Sequence, residues 1–156
     1  MNKENDPFAG TIVATLCFLV RDSQILLARK MKKIGIGWWN GYGGRQEEGE
    51  LIAEAAVREL FEETDRQVVA KVEDLELSAV IDFHNQKEDG TQFRVKVYVY
   101  LIRIWQGEPH DTDEMTNPTW FTLTDLPVEE MFTGDQHWLP LVLSGKKVKG
   151  RFVYGP

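Results

Sequence analysis

The feature that most constrains this 156-residue chain is an abrupt passage from a glycine-dense segment to an uninterrupted helix. Residues 38–44 combine three glycines with three aromatic residues, a composition that disfavours a helix. Residues 51–64 contain strong helix formers and neither glycine nor proline, and they therefore predict a helix. The fold must bring flexible backbone directly to the beginning of that helix.

Three glutamates on the predicted helix, Glu59, Glu62 and Glu63, have spacings that place them on one face. Most glutamate-rich faces are simply solvated, but at about 100° per residue these acids share their face with small apolar residues. A second apolar stripe is predicted on the far side from Val57, Leu60 and Phe61. Crowded carboxylates repel one another, and a hard divalent cation removes that repulsion. Because the preceding glycines can offer carbonyl oxygens, the pattern predicts a metal site.

The same region carries a resemblance to a known motif, the Nudix box, at Gly44, Glu50, Arg58, Glu59, Leu60, Glu62 and Glu63. The resemblance to Nudix hydrolases implies an α/β (α+β) fold, in which a mixed, curved β-sheet is sandwiched between helices. It also implies hydrolysis that depends on Mg²⁺, with Mn²⁺ as an alternative cation.

The resemblance further implies roles for individual residues. The metal ligands would be Glu59, Glu62, Glu63 and the carbonyl oxygen of Gly43. Arg58 would pair with a carboxylate and hold it in place. Glu50 has two open roles, since it would either ligate a metal or cap the helix end.

The sequence departs from the motif at the helix end, where Asp65 replaces the expected glycine and Arg66 replaces an apolar residue. Aspartate can adopt a left-handed conformation at some energetic cost. We therefore expect the helix to end at Asp65 and Arg66, with a left-handed cap open to Asp65.

A wider resemblance covers residues 14–154 and includes residues 39–44, residues 113–115 with Trp120 and Phe121, and residues 138–142 followed by two lysines. These segments are similar to the oxidised purine nucleoside triphosphatases of animals, which are related to bacterial MutT. This branch hydrolyses 8-oxo-dGTP and 2-hydroxy-dATP to the monophosphate and pyrophosphate. A nucleoside triphosphate is therefore the implied small-molecule partner.

This wider resemblance also extends the predicted site. Glu114 would be a further metal ligand or a base, so that the implied catalytic residues are Glu63, Glu59, Arg58 and Glu114. The implied nucleotide-binding residues are Thr15, Lys30, Asn40, Phe132 and Asp135. Asn40 would bond to the base edge, while Phe132 and Asp135 would close over the base.

Three departures affect the base site. Gly134 stands where the branch has an acid beside Asp135, Phe132 replaces a tryptophan, and Ile34 replaces an aromatic residue. Two other readings stay open: a Nudix hydrolase of an ADP-sugar, a dinucleotide polyphosphate or an RNA 5′ end, and a nucleotide sensor without catalysis.

The rest of the chain predicts mostly strands, at residues 11–20, 25–28, 75–84, 92–105, 118–123 and 152–154, with a second helix at 135–143. Residues 29–37 are predicted to be a loop. The chain shows no repeat or linker, so residues 10–156 are expected to form one domain after a flexible tail at 1–9.

Composition excludes several functional classes. The net charge is −7 and no block of Lys or Arg forms a footprint for duplex nucleic acid. The lone cysteine, Cys17, permits no internal disulfide and reads as a small buried apolar residue. No segment has the length of a membrane span, and the polar N-terminus does not resemble a signal peptide. We expect a cytoplasmic protein and infer no protein partner.

Overall fold

The computed structural model describes residues 11–32 and 35–155. The tail predicted at 1–9, and Ile34, lie outside this range. The strands are β1 (Ile12–Arg21), β2 (Gln24–Lys30), β3 (Trp39–Asn40), β4 (Tyr42–Arg45), β5 (Leu75–Gln86), β6 (Gln92–Ile102), β7 (Met115–Thr122) and β8 (Val148–Tyr154). The helices are α1 (Ile52–Glu63) and α2 (Asp135–Leu143), with 3₁₀ turns at Val72–Asp74 and Val128–Glu130.

The strands form one mixed sheet whose main path runs β3-β2-β1-β6-β5-β8. β1 pairs in parallel with β6, and β5 pairs in parallel with β8. β4 pairs with β1, and β7 pairs with β2, both in the antiparallel sense. The predicted mixed sheet with two helices is therefore confirmed.

Each face of the sheet has its own apolar core. Helix α1 buries Ala56 and Leu60 together with Cys17 and Tyr100. On the other face, α2 buries Trp138 and other apolar residues together with Phe18, Ile81 and Leu101. Neighbouring strand residues such as Cys17 and Phe18 enter different cores because side chains alternate along a strand. Cys17 is fully buried, as predicted.

Several predicted boundaries were wrong, and long-range pairing explains the differences. Residues 29 and 30 were predicted to be a loop but belong to β2, where they pair with Thr116 and Met115 of β7. The same pairing starts β7 at Met115 rather than at 118. β8 begins at Val148 rather than at 152 because it pairs along β5 from that residue. The predicted second stripe of α1 is only partly buried at Val57 and Phe61.

The end of α1 has an unusual backbone. After Thr64, both Asp65 and Arg66 are left-handed, with φ of 53° and 68°. The Arg66 N–H donates to the Phe61 carbonyl oxygen at 2.7 Å and thereby closes the last turn. Asp65 thus adopts the left-handed conformation that the sequence left open to it. Among the described residues, no helix is long and apolar enough to cross a membrane.

We predict that Asp65→Gly raises the free energy of unfolding by about 0.5–1 kcal/mol, because glycine accepts a positive φ without steric cost. The matched control is Lys71→Gly, at an exposed position with a φ of −105°, which should lower stability by a similar amount. Urea unfolding measures both changes. A lower stability of the Asp65 variant would contradict the strain argument.

Candidate active site

Strand β4 lies directly against the carboxylates of α1. A Cβ built on Gly44 would lie 2.2 Å from Cδ of Glu59, so only glycine leaves room for that carboxylate. The Gly43 N–H donates to Glu63 Oε2 at 3.2 Å. On its other side Gly43 meets β1, since a Cβ there would lie 1.9 Å from the Thr15 carbonyl oxygen. The glycines thus allow one strand to fit between β1 and the acidic helix.

Arg58 links the acidic residues to the loop before α1. Its Nε and Nη2 donate to the two oxygens of Glu50 at 2.7 and 3.0 Å, a bidentate pair. Nη1 donates to Glu59 at 2.8 Å and to Glu62 at 3.1 Å, and Nη2 also donates to the carbonyl of Arg45. Hydrogen bonds from Arg58 lower the pKa of Glu50. This cation offsets part of the repulsion among the acids.

The carboxylate of Glu50 pairs with Arg58. Its main contact is therefore neither a metal nor the helix end, the two roles that the sequence left open. The N-terminus of α1 is capped instead by Glu54, whose Oε1 accepts from the Leu51 N–H at 2.9 Å. Glu50 Oε1 also accepts from the Glu47 N–H at 3.0 Å, and so it fixes the loop as well.

Glu63 is the most perturbed carboxyl of the cluster. Burial raises its pKa to about 8, and the charges of Glu114 and Glu59 act in the same direction. The Gly43 N–H and the charge of Lys30 oppose the rise but do not cancel it. A buried acid beside other acids favours a cation, which would stabilise its ionised form.

The loop before β7 brings Glu114 to the same place. The Glu114 carbonyl oxygen accepts from the Met31 N–H at 2.8 Å, which anchors the loop to the end of β2. The Thr112 hydroxyl donates to the Glu63 carbonyl oxygen at 3.2 Å, which anchors it to the end of α1. Glu114 thereby acts electrostatically on Glu63 although the two are far apart in sequence.

The residues of this cluster fit a divalent cation in chemical type. Carboxylate and carbonyl oxygens are the ligands that hard cations prefer. Within residues 11–32 and 35–155, no three His, Cys, Asp or Glu side chains are already arranged to hold a metal ion. Glu59 and Glu62 instead face Arg58, so metal binding requires their carboxylates to turn away from the guanidinium.

The predicted nucleotide-binding residues fall into groups. The Lys30 ammonium lies 5.7 Å from the ring centroid of Phe132, and that ring packs edge-on against Trp38 at 4.9 Å. Thr15 and Asn40 lie by the glycine segment instead. The Thr15 hydroxyl is 3.5 Å from the Gly44 carbonyl oxygen, and Asn40 Oδ1 accepts from the Gly41 N–H.

Asp135 lies at the start of α2, where its N–H donates to the Phe132 carbonyl oxygen at 2.9 Å. It is 5% exposed, and burial raises its pKa to about 7. The nearby Trp138 indole opposes this rise in pKa but makes no regular hydrogen bond with Asp135. Asp135 Oδ2 and Trp138 Nε1 are therefore both buried without a partner among the described residues. Trp138 belongs to the core, whereas Phe132 is partly exposed. A buried polar atom without a partner marks a place for a ligand or a water.

Sequence reasoning missed two aromatic residues of this region. Trp38 contacts Phe132, and Tyr154 of β8 stacks on Phe83 with ring centroids 6.1 Å apart. Residues two apart on a strand lie on the same face, so the sequence could have indicated that the ring of Tyr154 lies beside that of Phe152. The sequence held no signal for the Trp38 contact, which depends on how the loop folds.

The comparisons with known proteins match this geometry. The NUDIX domain model matches residues 10–142. The chain belongs to the Nudix family. Its fold and the hydrolase relatives make it a Nudix pyrophosphohydrolase, and Nudix hydrolases generally use divalent metal ions. A zebrafish protein (Danio rerio) named oxidized purine nucleoside triphosphate hydrolase is 32% identical over 142 residues, which cover 90% of this chain and 85% of that protein.

Solved structures of other proteins are also similar to this chain. A MutT protein from Bacillus halodurans is 26% identical with a TM-score of 0.75, covering 93% of this chain and 91% of that one. A bifunctional NMN adenylyltransferase/ADP ribose pyrophosphatase from Francisella tularensis, complexed with AMP and a Mn ion, has a TM-score of 0.66 at 22% identity. The match covers 91% of this chain and 44% of that one, and it shows a shared fold alone.

The two glycines of β4 should respond differently to alanine. In Gly44→Ala the three atoms nearest the new Cβ all belong to the movable end of Glu59, so we predict a folded protein whose activity falls about 10- to 100-fold through a displaced carboxylate. In Gly43→Ala the Cβ meets the β1 backbone, so stability should fall by about 1–3 kcal/mol or more. Gly155→Ala is the control, because among the described residues its Cβ would meet no atom within 4 Å beyond its neighbours in the chain. Thermal unfolding and turnover separate the effects, and equal destabilisation by both substitutions would contradict this account.

Asp135 should make stability depend on pH. Its folded pKa of about 7 exceeds the usual 3.8, so its protonation stabilises the folded state below pH 4, and this stabilisation is lost as the pH rises to about 7. Relative to Asp135→Asn, wild-type stability should therefore fall across that window by up to about 1.4 kcal/mol per pH unit. Urea unfolding from pH 4 to 8 tests this. The exposed Asp125→Asn control should run parallel to wild type, and a parallel Asp135→Asn curve would contradict the prediction.

Proposed function

We propose that this Nudix enzyme is a Mg²⁺-dependent purine nucleoside triphosphate diphosphatase that releases the monophosphate and pyrophosphate. The proposed substrates are oxidised purine nucleotides such as 8-oxo-dGTP or 2-hydroxy-dATP. One observation carries the proposal: the carboxylate cluster of Glu59, Glu63 and Glu114 is joined through Lys30 to an aromatic surface at Phe132. A polyphosphate at the acids and a base at the aromatic surface would thus be adjacent.

The cation would be held by Glu59, Glu62, Glu63, Glu114 and the Gly43 carbonyl oxygen. When bound, Mg²⁺ or Mn²⁺ supplies positive charge that offsets the polyphosphate and polarises its oxygens. Arg58 keeps Glu50 and the preceding loop in place through its bidentate pair. Arg58 thereby acts on positioning, whereas the acids of α1 would hold the cation.

Glu63 is the proposed general base. Its Oε2 accepts the Gly43 N–H, which leaves Oε1 to accept a proton from the attacking water. Glu114, whose charge already acts on Glu63, is the other acid able to orient that water. Lys30 lies on the side facing Phe132 and would neutralise a phosphate between the two sites.

The base is proposed to stack against Phe132, whose edge is held by Trp38. Asn40 and Asp135 would bond to its polar edge, and Thr15 would line the site from β1. The buried, unpartnered Asp135 oxygen supports this role because a base edge would supply the missing partner. The name of the zebrafish relative supports the same class of substrate.

The direct test is steady-state hydrolysis of 8-oxo-dGTP, 2-hydroxy-dATP, dGTP and dATP side by side, with ADP-ribose as the competing substrate. Monophosphate and pyrophosphate are both quantified, with and without Mg²⁺. Preference for ADP-ribose would replace the proposal with a different Nudix activity. Nucleotide binding without a Mg²⁺-dependent product would instead identify a sensor.

Glu63→Gln should lower turnover by about 100-fold or more while nucleotide binding survives, because the base acts mainly on the transition state. The glutamine oxygen can still accept the Gly43 N–H, so the fold should persist. Exposed Glu48→Gln in the loop before α1 is the matched control and should retain full turnover. Near-normal turnover of the Glu63 variant would remove the proposed role of Glu63.

A further inference from the structure

The hydroxyl of Tyr154 lies beside a glycine at the start of α2. A Cβ built on Gly134 would lie 2.8 Å from Tyr154 Oη and 3.3 Å from the ring of Phe152. Any other residue at position 134 would therefore displace the phenol. The Tyr154 hydroxyl can therefore occupy this position because residue 134 has no side chain.

This hydroxyl is a neighbour of the Asp135 carboxyl. Burial and then the charge of Asp135 raise the pKa of Tyr154, whereas the Gly134 N–H lowers it. The Gly134 N–H acts on the phenol oxygen as a donor, which leaves the phenol O–H to donate its own proton. Asp135 Oδ2, in contrast, has no partner among the described residues and is free to accept.

Aromatic rings frame these two polar groups. Phe83 lies parallel to both Phe152 and Tyr154, at centroid distances of 5.8 and 6.1 Å. His137 lies over Phe152 at 6.5 Å. A donor and an acceptor among flat rings match the edge and faces of a purine.

We propose that Tyr154 is a specificity-determining residue that donates to the 6-carbonyl oxygen of a guanine-type base, while Asp135 accepts the adjacent N1–H and 2-amino N–H. This inference rests on the proposed function and names its preferred base. A guanine edge offers an acceptor followed by two donors, which a phenol and a carboxylate complement in full. An adenine edge offers a donor followed by an acceptor, so it cannot pair with both groups in the same orientation.

The experiment compares wild type with Tyr154→Phe, which removes only the phenolic oxygen. We expect wild type to prefer dGTP and 8-oxo-dGTP over dATP and 2-hydroxy-dATP in kcat/KM. Tyr154→Phe should lower kcat/KM for the guanine nucleotides about tenfold or more, mainly through KM, and leave the adenine nucleotides nearly unchanged. The ratio of the two is insensitive to a loss of folded protein, which affects all substrates equally.

Two further variants sharpen the result. Tyr100→Phe makes the same chemical change in the core on the other face of the sheet and should leave the ratio unchanged. Gly134→Ala should push the phenol away and reduce the guanine preference, as Tyr154→Phe does. Calorimetric binding of dGMP and dAMP, without metal or turnover, should show the same loss of guanine preference in both site variants.

An unchanged guanine-to-adenine ratio in Tyr154→Phe, or a wild-type preference for adenine nucleotides, would overturn the inference. Failure of the proposed function is distinct, because wild type would then hydrolyse none of the four triphosphates. In that case the binding of dGMP and dAMP still decides the role of Tyr154.

Discussion

The close approach of β4 to the acidic face of α1 is the constraint on which the site depends. Gly44 leaves the space that the Glu59 carboxylate occupies, and Gly43 gives its N–H to Glu63. The helix can lie this near only because its buried face carries Ala55 and Ala56. Because these small residues and glycines let β4 and α1 lie close together, several like charges are crowded and must be stabilised together.

Glu63 and Asp135 carry the same chemical group in two different environments. Burial raises the pKa of both Glu63 and Asp135, but Glu63 is surrounded by other acids and by Lys30. Asp135 lies near the Trp138 indole and the Tyr154 phenol. The first environment favours a cation and the second favours the edge of a neutral ring. Lys30 acts on Glu63 and lies 5.7 Å from the ring centroid of Phe132.

Local sequence predicted the elements whose formation depends on local preference. Helix α2 has the predicted bounds, and α1 differs by one residue at each end. The end of α1 at Asp65 and Arg66 was expected, whereas the left-handed conformation of Asp65 was only open to it. Strand ends were less accurate, as at Met115 and Val148, because partners distant in the chain fix them. The sequence also did not decide that Glu50 pairs with Arg58, because several nearby groups could have competed for each side chain.

The sequence by itself determined the chemical inventory: the acids at helical spacing, the glycines before them, and the aromatic residues near the C-terminus. These follow from period and composition, which act over a few residues. Only the tertiary structure decided that Glu114 meets Glu63, that Lys30 faces Phe132, and that Tyr154 occupies the space beside Gly134. Such contacts join segments far apart in the chain, and sheet pairing and packing against two helices bring them together.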